Sequence, residues 1–212
     1  MVQGKLVRLR AVEPEDAERA YRWINDREVT QFLMARYPFA LAAERDWAAA
    51  AAKPNDFGEA RFAIETLDGV HIGFCGLHRG RPEDRLADLG IMIGEKDYRS
   101  QGYGTDAMLT LLRFAFYEMN LNKVTLGVFE INPRAMAVYK KCGFVEEGRG
   151  REEYYQDGRY IDVIRMGVLR REFEALHGSA NAFARPEINA SASPSRTSGR
   201  ADPITVNPSA GA

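Results

Sequence analysis

The spacing of hydrophobic and polar residues predicts strands, helices and a hairpin in the first half of the chain. Residues 5–12, "KLVRLRAV", alternate polar and apolar positions as a half-buried strand does. Residues 13–26 follow as a helix, with Pro14 and acidic residues where a first turn favours them, and residues 42–52 predict a second helix. Residues 60–78 predict two strands joined at Asp68-Gly69, a strong hairpin signal.

The second half of the chain contains a single strand–loop–helix–strand unit. A strand at 87–94 leads through a loop into a helix from about Thr105 to Met119, and a further strand covers 123–132. A short helix then ends at Gly143, and two final strands lie near 143–148 and 160–169. Hairpins with so few βα units predict an α+β fold with a mixed, mostly antiparallel sheet of about six to seven strands and helices on both faces.

The composition changes near residue 178. Residues 178–212 are small, polar and rich in Ala, Ser and Pro, and they contain no Leu, Met, Tyr or Trp. Such a segment buries too little apolar surface to offset the entropy lost on ordering. We therefore predict one domain over residues 1–177 and a disordered tail over residues 178–212.

Charge and composition argue against several classes of protein. The chain has 29 basic and 30 acidic residues among 212, which is not the balance of a nucleic-acid-binding protein. Two distant cysteines and three histidines offer no metal-ligand spacing, so we expect no metal. No stretch is long and apolar enough to span a membrane or to form a signal peptide. We expect a protein of the reducing cytoplasm.

The loop "YRSQGYGTDAM" at residues 98–108 places two glycines directly before a helix. By itself this pattern is equally typical of a tight turn and of an anion site. A dinucleotide fingerprint would require a third glycine where Ala107 stands, and a triphosphate loop would require Gly-Lys-Ser/Thr. What remains is a pyrophosphate cradle built from the amides of residues 102–105, with Arg99 at its rim. Asp106, in the first helical turn, must then point away from the phosphates.

A second motif, "INPRAMAVYKKCGF", places Asn132 and Tyr139 seven residues apart. Two helical turns separate them, so they share one face of the short helix. Asn132 is also a favourable N-cap before Pro133. A tyrosine in such a helix is usually a core or surface residue, and only its combination with the glycine loop favours a functional role.

Together these two motifs resemble those of the GNAT superfamily of acyl-CoA-dependent N-acyltransferases. "RSQGYG" is similar to the family's pyrophosphate motif through Arg99, Gly102 and Gly104, and "NPRAMAVYKKCGF" resembles its Asn…Ala…Tyr…Gly-Phe motif. The resemblance extends over about residues 4–172, towards the branch with ribosomal-protein N-terminal acetyltransferases and spermidine acetyltransferases. It implies the GNAT fold, with two parallel strands splayed at the acyl-CoA site by a bulge that Gly90 or Gly94 could permit.

The resemblance also implies which residues bind the cosubstrate, acetyl-CoA. Tyr139 matches the tyrosine beside the CoA sulfur and is expected to act as general acid. Asn132 would bind the pantetheine or position a water molecule, and the strand edge would pair its backbone with the pantetheine amides. The implied cofactor-binding residues are Ile91, Met92, Ile93, Arg99, Gln101, Gly102, Tyr103, Gly104, Thr105, Asn132 and Tyr139.

The general base is left open between three alternatives. Asp88 lies in the apolar strand "ADLGIMI", near the place where many relatives carry Glu, but it would equally suit a strand start paired with Arg85. Glu130 in "VFEIN" is the second candidate, and a water chain is the third. Cys142 is expected to be a small core residue rather than a nucleophile.

The resemblance implies that a primary amine accepts the acetyl group without a covalent enzyme intermediate. The acceptor could be a small amine, a polyamine or a protein N-terminus, bound by the first helices and the final hairpin. The alternative from another class is an acyl-CoA-binding sensor or scaffold that does not transfer the acyl group. Relatives are often homodimers, although no heptad or apolar stripe in this chain requires a homodimer.

Overall fold

A computed structural model describes residues 1–179 of the chain, so the predicted tail lies outside the described residues except for Gly178 and Ser179. Within that range the backbone forms one eight-stranded sheet with the order β1-β2-β3-β4-β5-β6-β8-β7. The strands are β1 Val2–Gln3, β2 Val7–Arg10, β3 Ala60–Thr66, β4 His71–Arg81, β5 Leu86–Ile93, β6 Lys123–Phe129, β7 Val145–Gln156 and β8 Arg159–Leu169.

Six α-helices accompany the sheet in the described range. They are α1 Ala17–Ile24, α2 Arg27–Thr30, α3 Leu41–Ala51, α4 Tyr103–Arg113, α5 Pro133–Lys141 and α6 Arg170–His177. Short 3-10 helices cover Pro14–Asp16 and Lys96–Tyr98, and α4 continues into a π-helical turn at Phe114–Glu118.

All strand pairs are antiparallel except β5 with β6, which confirms an α+β fold with a mixed, mostly antiparallel sheet. The sheet has one strand more than the six to seven predicted, because Val2 and Gln3 pair with Leu9 and Arg8 at the edge. Two residues carry too short a pattern to be recognised as a strand from sequence.

The parallel pair separates along its length, and this separation is the feature that positions the site. Only Leu86–Lys123, Ala87–Val124 and Asp88–Thr125 pair between β5 and β6, so the rest of each strand has no partner in the other. Pairing of β5 with β4 continues regularly through Gly90, which therefore carries no bulge. At the end of β5 the amides of Gly94 and Glu95 both donate to the carbonyl of Ile72, at 2.9 and 3.1 Å, so two residues oppose one as in a β-bulge.

Helix α4 lies at the centre of the larger core. Its apolar residues recur at helical spacing, and Ala107, Met108, Leu111 and Leu112 are fully buried. Burial of each large side chain contributes about 1.5–3 kcal/mol relative to exposure. The predicted helix at 105–119 is thus confirmed in position, although its last turns adopt the π-helical form.

Two parts of the C-terminal half differ from the sequence analysis. Helix α6 was not predicted, yet its Phe173 is fully buried and lies 5.2 Å from Phe116, ring centre to ring centre. Strand β7 runs to Gln156, well beyond the predicted end near residue 148. Its many charged residues hide the strand pattern, and pairing with β8 determines its length.

The opposite face of the sheet is covered by α1 and α3 and holds a buried polar group. Asp16 accepts two hydrogen bonds of 2.8 Å from the guanidinium of Arg10, and its Oδ1 lies 2.9 Å from Nδ1 of His71. Burial alone would raise the pKa of Asp16, but the hydrogen bonds from the Arg10 guanidinium and from the amide of Glu13 outweigh burial and hold that pKa well below its usual range.

Candidate active site

The N-terminus of α4 presents backbone donors at the open end of the split strands. Gly102 precedes the helix with φ of +92°, a left-handed conformation that glycine adopts without strain. The first intrahelical bond runs from the amide of Asp106 to the carbonyl of Gly102, at 2.9 Å. No side chain in the described part of the chain caps this N-terminus. The amides of residues 103–105 are therefore available to an anion.

Asp106 points away from this N-terminus, as the sequence analysis required. Its carboxylate accepts hydrogen bonds from the amides of Lys5, Leu6 and Val7, at 3.1, 2.7 and 3.0 Å. The carboxylate is therefore used to hold the β1–β2 turn against α4. Its negative charge is satisfied there rather than facing the predicted cradle.

Helix α5 begins at Pro133, and the Asn132 side chain caps it as predicted. Oδ1 of Asn132 accepts from the amide of Ala135 at 3.1 Å, which leaves the side-chain NH₂ free of the cap. Tyr139 follows two turns later, and both side chains line the same cavity. The predicted common face of Asn132 and Tyr139 is therefore present.

This cavity has a volume of about 760 Å³ and joins the two motifs. Such a volume is within the usual range for small-molecule sites. The α4 N-terminus forms one wall, α5 another, and the unpaired end of β5 lies between them. We call it the large cavity; its lining residues are Glu28, Val29, Gln31, Phe32, Leu33, Ile91, Met92, Ile93, Tyr98, Arg99, Ser100, Gly102, Gly104, Thr105, Met108, Asn132, Pro133, Arg134, Ala135, Ala137, Val138, Tyr139 and Lys141.

Positive charge dominates the large cavity, since Arg99, Arg134 and Lys141 line it against one carboxylate, that of Glu28. The Arg99 guanidinium donates to the carbonyl of Ile93 at 3.2 and 3.0 Å, which fixes it at the rim. Burial, followed by the charge of Arg134, lowers the pKa of Arg99. Two cations held this close favour an anionic ligand.

Arg134 and Lys141 were missed by the sequence analysis. Arg134 lies in the first turn of α5, where the helix dipole disfavours a cation, and its Nη1 is 3.4 Å from Oγ of Ser100. That unfavourable position is the signal that could have identified it. Ser100 itself has φ of +63°, a strained value for a residue with a side chain.

Tyr139 is partly buried and lines the large cavity. Burial, with a smaller contribution from Cys142, raises the pKa of the Tyr139 phenol to about 12. The phenol is therefore a proton donor, not an acceptor, at neutral pH. Burial also raises the pKa of the Cys142 thiol to about 12, which agrees with its predicted place in the core.

Two of the expected cofactor-binding side chains do not line the cavity. The Gln101 side chain is exposed and donates to the carbonyl of Asp97. The Tyr103 ring packs edge-on against Tyr98 at 5.2 Å between centres, so Tyr103 could contribute only its backbone amide. The remaining members of that predicted set all line the cavity.

Neither predicted base lines the large cavity, and both carboxylates have partners. Oδ1 of Asp88 accepts from the Thr125 hydroxyl at 2.5 Å, and its Oδ2 is 3.4 Å from Nη1 of Arg79. Glu130 accepts from the Arg149 guanidinium and from the amide of Asp162. Their assignment as the base stays a prediction.

Comparison with known proteins agrees with this site. Residues 7–145 match the family described as "Acetyltransferase (GNAT) domain". The spermidine N(1)-acetyltransferase of Vibrio cholerae is 34% identical over 119 residues, covering 56% of this chain and 68% of the relative. The putative ribosomal N-acetyltransferase YdaF of Bacillus subtilis is 31% identical over 176 residues, covering 79% and 93%. The crystal structure of the Vibrio cholerae spermidine enzyme with CoA and spermine has a TM-score of 0.72 at 29% identity, covering 79% of this chain and 98% of that one.

The fold, the site and the family match over residues 7–145 define an acyl-CoA-dependent transferase. The chain belongs to the GNAT acetyltransferase family. It is an acetyl-CoA-dependent N-acetyltransferase, as the two motifs indicated, and the sensor or scaffold alternative is not favoured. Over residues 1–179, no helix is long and apolar enough to cross a membrane.

Proposed function

We propose that the large cavity binds acetyl-CoA and that a primary amine takes the acetyl group beside Tyr139. The observation that carries this proposal is the continuity of one cavity from the amides of residues 102–105 to Tyr139. The pyrophosphate would accept hydrogen bonds from those amides, with Arg99 and Arg134 neutralising its charge. GNAT acetyltransferases use acetyl-CoA, and one structural relative was solved with CoA.

The pantetheine arm would lie along Ile91, Met92 and Ile93. Because pairing with β6 ends at Asp88, the backbone groups on that side of β5 have no strand partner there. An extended chain carrying amides can pair with such an edge as an added strand. This arrangement directs the thioester towards Tyr139 on the neighbouring wall.

The chemistry required is direct attack of the amine nitrogen on the thioester carbonyl. A C–N bond forms, the tetrahedral intermediate collapses, and the C–S bond breaks. Tyr139 donates its proton to the departing sulfur, in keeping with its raised pKa. The site binds both reactants close together, which supplies a large part of the rate enhancement.

The proposed acceptor is an amine, and the names of the relatives point to two classes of amine, polyamines and protein N-termini. Proteins similar to this chain include enzymes named for spermidine and one named as a putative ribosomal N-acetyltransferase. Two free, buried cysteines and use of acetyl-CoA support a cytoplasmic setting. The predicted homodimer and the absence of nucleic-acid and membrane partners stay predictions.

Calorimetric titration tests the proposal directly. We expect acetyl-CoA and free CoA to bind and NAD not to bind, because the cradle lacks the third glycine of a dinucleotide site. Release of thiol from acetyl-CoA is then followed with a panel of primary amines. Absence of CoA binding would overturn the assignment of the large cavity, and binding without turnover of any amine would overturn the proposed activity.

A further inference from the structure

A second, smaller cavity adjoins the large cavity across the end of β5. Its volume is about 260 Å³, and it shares Leu33, Ile91 and Met92 with the large cavity. We call it the small cavity; its lining residues are Val12, Leu33, Trp47, Arg61, Phe62, Phe74, Cys75, Gly76, His78, Gly90, Ile91 and Met92. A molecule in the small cavity would therefore contact residues that also line the large cavity.

Two glycines on neighbouring strands form the floor of the small cavity. Gly76 and Gly90 are direct partners between β4 and β5. A Cβ on Gly76 would lie 3.2 Å from Cε1 of His78, and a Cβ on Gly90 would lie 3.4 Å from its Nε2. At Gly76 the carbonyl of Ala60, 2.7 Å from that Cβ position, already fills the space, so the imidazole of His78 lies beside the open position at Gly90 only.

The neighbours of His78 orient its ring. Nδ1 of His78 lies 3.2 Å from Oε1 of Glu59, and the other oxygen of Glu59 pairs with Arg61. When Nδ1–H donates to Glu59, Nε2 carries the free lone pair. Nε2 is also the ring atom nearest the Cβ position of Gly90, so the lone pair belongs to the atom above the cavity floor.

We propose that the small cavity is the acceptor site for a primary amine with a compact apolar body, and that Nε2 of His78 takes the proton that the ammonium must lose. This inference rests on the proposed function, since it supplies the amine to the acetyl-CoA in the large cavity. It assigns the base to neither Asp88 nor Glu130.

The lining determines the class of amine. The rings of Trp47 and Phe74 and several aliphatic residues form most of the wall, whereas the ring of Phe62 packs against Phe114 on the other face of the sheet. Its charged residue is the cation Arg61, and no carboxylate belongs to the lining in the described part of the chain. A polyamine would place additional ammonium groups against apolar walls and Arg61, at a desolvation cost that a single amine avoids.

Other charged groups near His78 are already paired with one another. Asp88 faces His78 across the strand pair, but its oxygens are bonded to Thr125 and Arg79. Glu59 on the other side holds both His78 and Arg61. His78 is 38% exposed at the side chain, so a proton it receives can pass to solvent.

The protons balance as follows. The ammonium gives one proton to Nε2 of His78, which releases it to water, and the neutral amine attacks the carbonyl carbon. When the C–S bond breaks, Tyr139 gives its proton to the sulfur. The second proton leaves the nitrogen and restores the phenol, so one free proton, CoA and the N-acetylated amine are the products.

The substrate class is tested with the wild-type chain. We compare kcat/KM for 2-phenylethylamine, for spermidine and for a short peptide with a free N-terminus, by thiol release at saturating acetyl-CoA. We expect 2-phenylethylamine to be preferred by at least about 10-fold. A preference for spermidine or for the peptide would refute the substrate class.

The base is tested with His78→Gln and the matched control His177→Gln, since His177 lines neither cavity. We expect His78→Gln to lower kcat/KM about 100-fold at pH 7 while acetyl-CoA affinity stays within twofold. Its deficit should shrink towards pH 10, where more of the amine is already neutral and a base is no longer required. His177→Gln should match the wild type over the same pH range.

Placing a larger side chain in the small cavity provides a second test of the acceptor site. A Cβ on Gly90 would make an ordinary contact with Nε2 of His78 at 3.4 Å, so a valine there would take up space beside that ring. We expect amine KM to rise at least about 10-fold with acetyl-CoA affinity unchanged. If amines are acetylated normally by His78→Gln and by Gly90→Val, the further inference fails while the proposed function stands. If the wild type binds acetyl-CoA but acetylates no amine, the proposed function fails first.

Discussion

Substitution of Gly102 by glutamate tests two features of this residue: its left-handed backbone before α4 and its position beside the proposed pyrophosphate site. Gly102 is exposed, has φ of +92°, and immediately precedes α4. A Cβ at this position would meet Cδ1 of Leu6 at 3.4 Å, an ordinary contact. Steric crowding is therefore small, and the cost of any side chain here is mainly the left-handed backbone.

The two contributions have different magnitudes. The left-handed conformation costs about 1–2 kcal/mol for a residue other than glycine. That cost lowers Tm by roughly 2–8 °C in a domain of this size. A carboxylate about 6 Å from one phosphate charge adds about 3 kcal/mol of repulsion at an effective dielectric of about 20, and solvent screening reduces this to about 1.5. The dissociation constant for acetyl-CoA should rise about 10- to 150-fold.

The matched control is Gly158→Glu, because Gly158 also has positive φ, +80°, and a Cβ there would meet nothing within 4 Å. Gly158 lies in the β7–β8 turn and lines neither cavity. Both variants are melted and titrated calorimetrically with acetyl-CoA, and Gly102→Ala is included as the uncharged variant. We expect similar losses of Tm in all three variants and a large loss of affinity in Gly102→Glu alone.

Salt provides a second readout, since raising ionic strength should recover part of the affinity of Gly102→Glu. The reasoning would be refuted if Gly102→Glu bound acetyl-CoA as tightly as Gly158→Glu does. Such a result would mean that the amides before α4 do not hold the pyrophosphate.

Three further substitutions test other parts of the structure. Tyr139→Phe should lower kcat about 100-fold with acetyl-CoA affinity within twofold; equal losses in both would make Tyr139 a binding residue. Asp16→Asn should cost about 3 kcal/mol in urea unfolding at pH 7. The pKa of Asp16 is lowered from its usual 3.8. The stabilisation is therefore present above pH 3.8 and is lost as the pH falls towards the lowered pKa, so the difference in unfolding free energy between wild type and Asp16→Asn should shrink in acid. A difference that stays constant with pH would contradict this reasoning. Phe173→Ala should cost about 3–5 kcal/mol, and a loss under 1 kcal/mol would show that α6 contributes little to the core.

Local features of the chain were predictable because their cause is local. Glycine at position 102 is favoured by a left-handed backbone before a helix, and Asn132-Pro133 marks a helix start by capping. The apolar spacing of α4 indicates its buried face in the same way. These signals depend on a few neighbouring residues, so one chain is enough to recognise them.

Features that depend on distant residues were not predictable. Helix α6 forms because Phe173 enters a core made by residues far away in sequence, and Asp88 is bonded to Thr125 on another strand. Arg134 lies beside Ser100 only because the sheet brings α5 and the loop before α4 together. No local pattern records such a partner.

The sequence by itself determined the strands other than β1 and the outer half of β7, the glycine loop, the capped helix with Tyr139 and the family to which the chain belongs. Tertiary structure alone decided that β5 and β6 separate after Asp88 and that Leu33, Ile91 and Met92 line both cavities. It also brought His78 to Glu59 above the paired Gly76 and Gly90. Propensities and caps act over a few residues, whereas a cavity is the space left between elements whose distance and angle are set by packing of the whole domain.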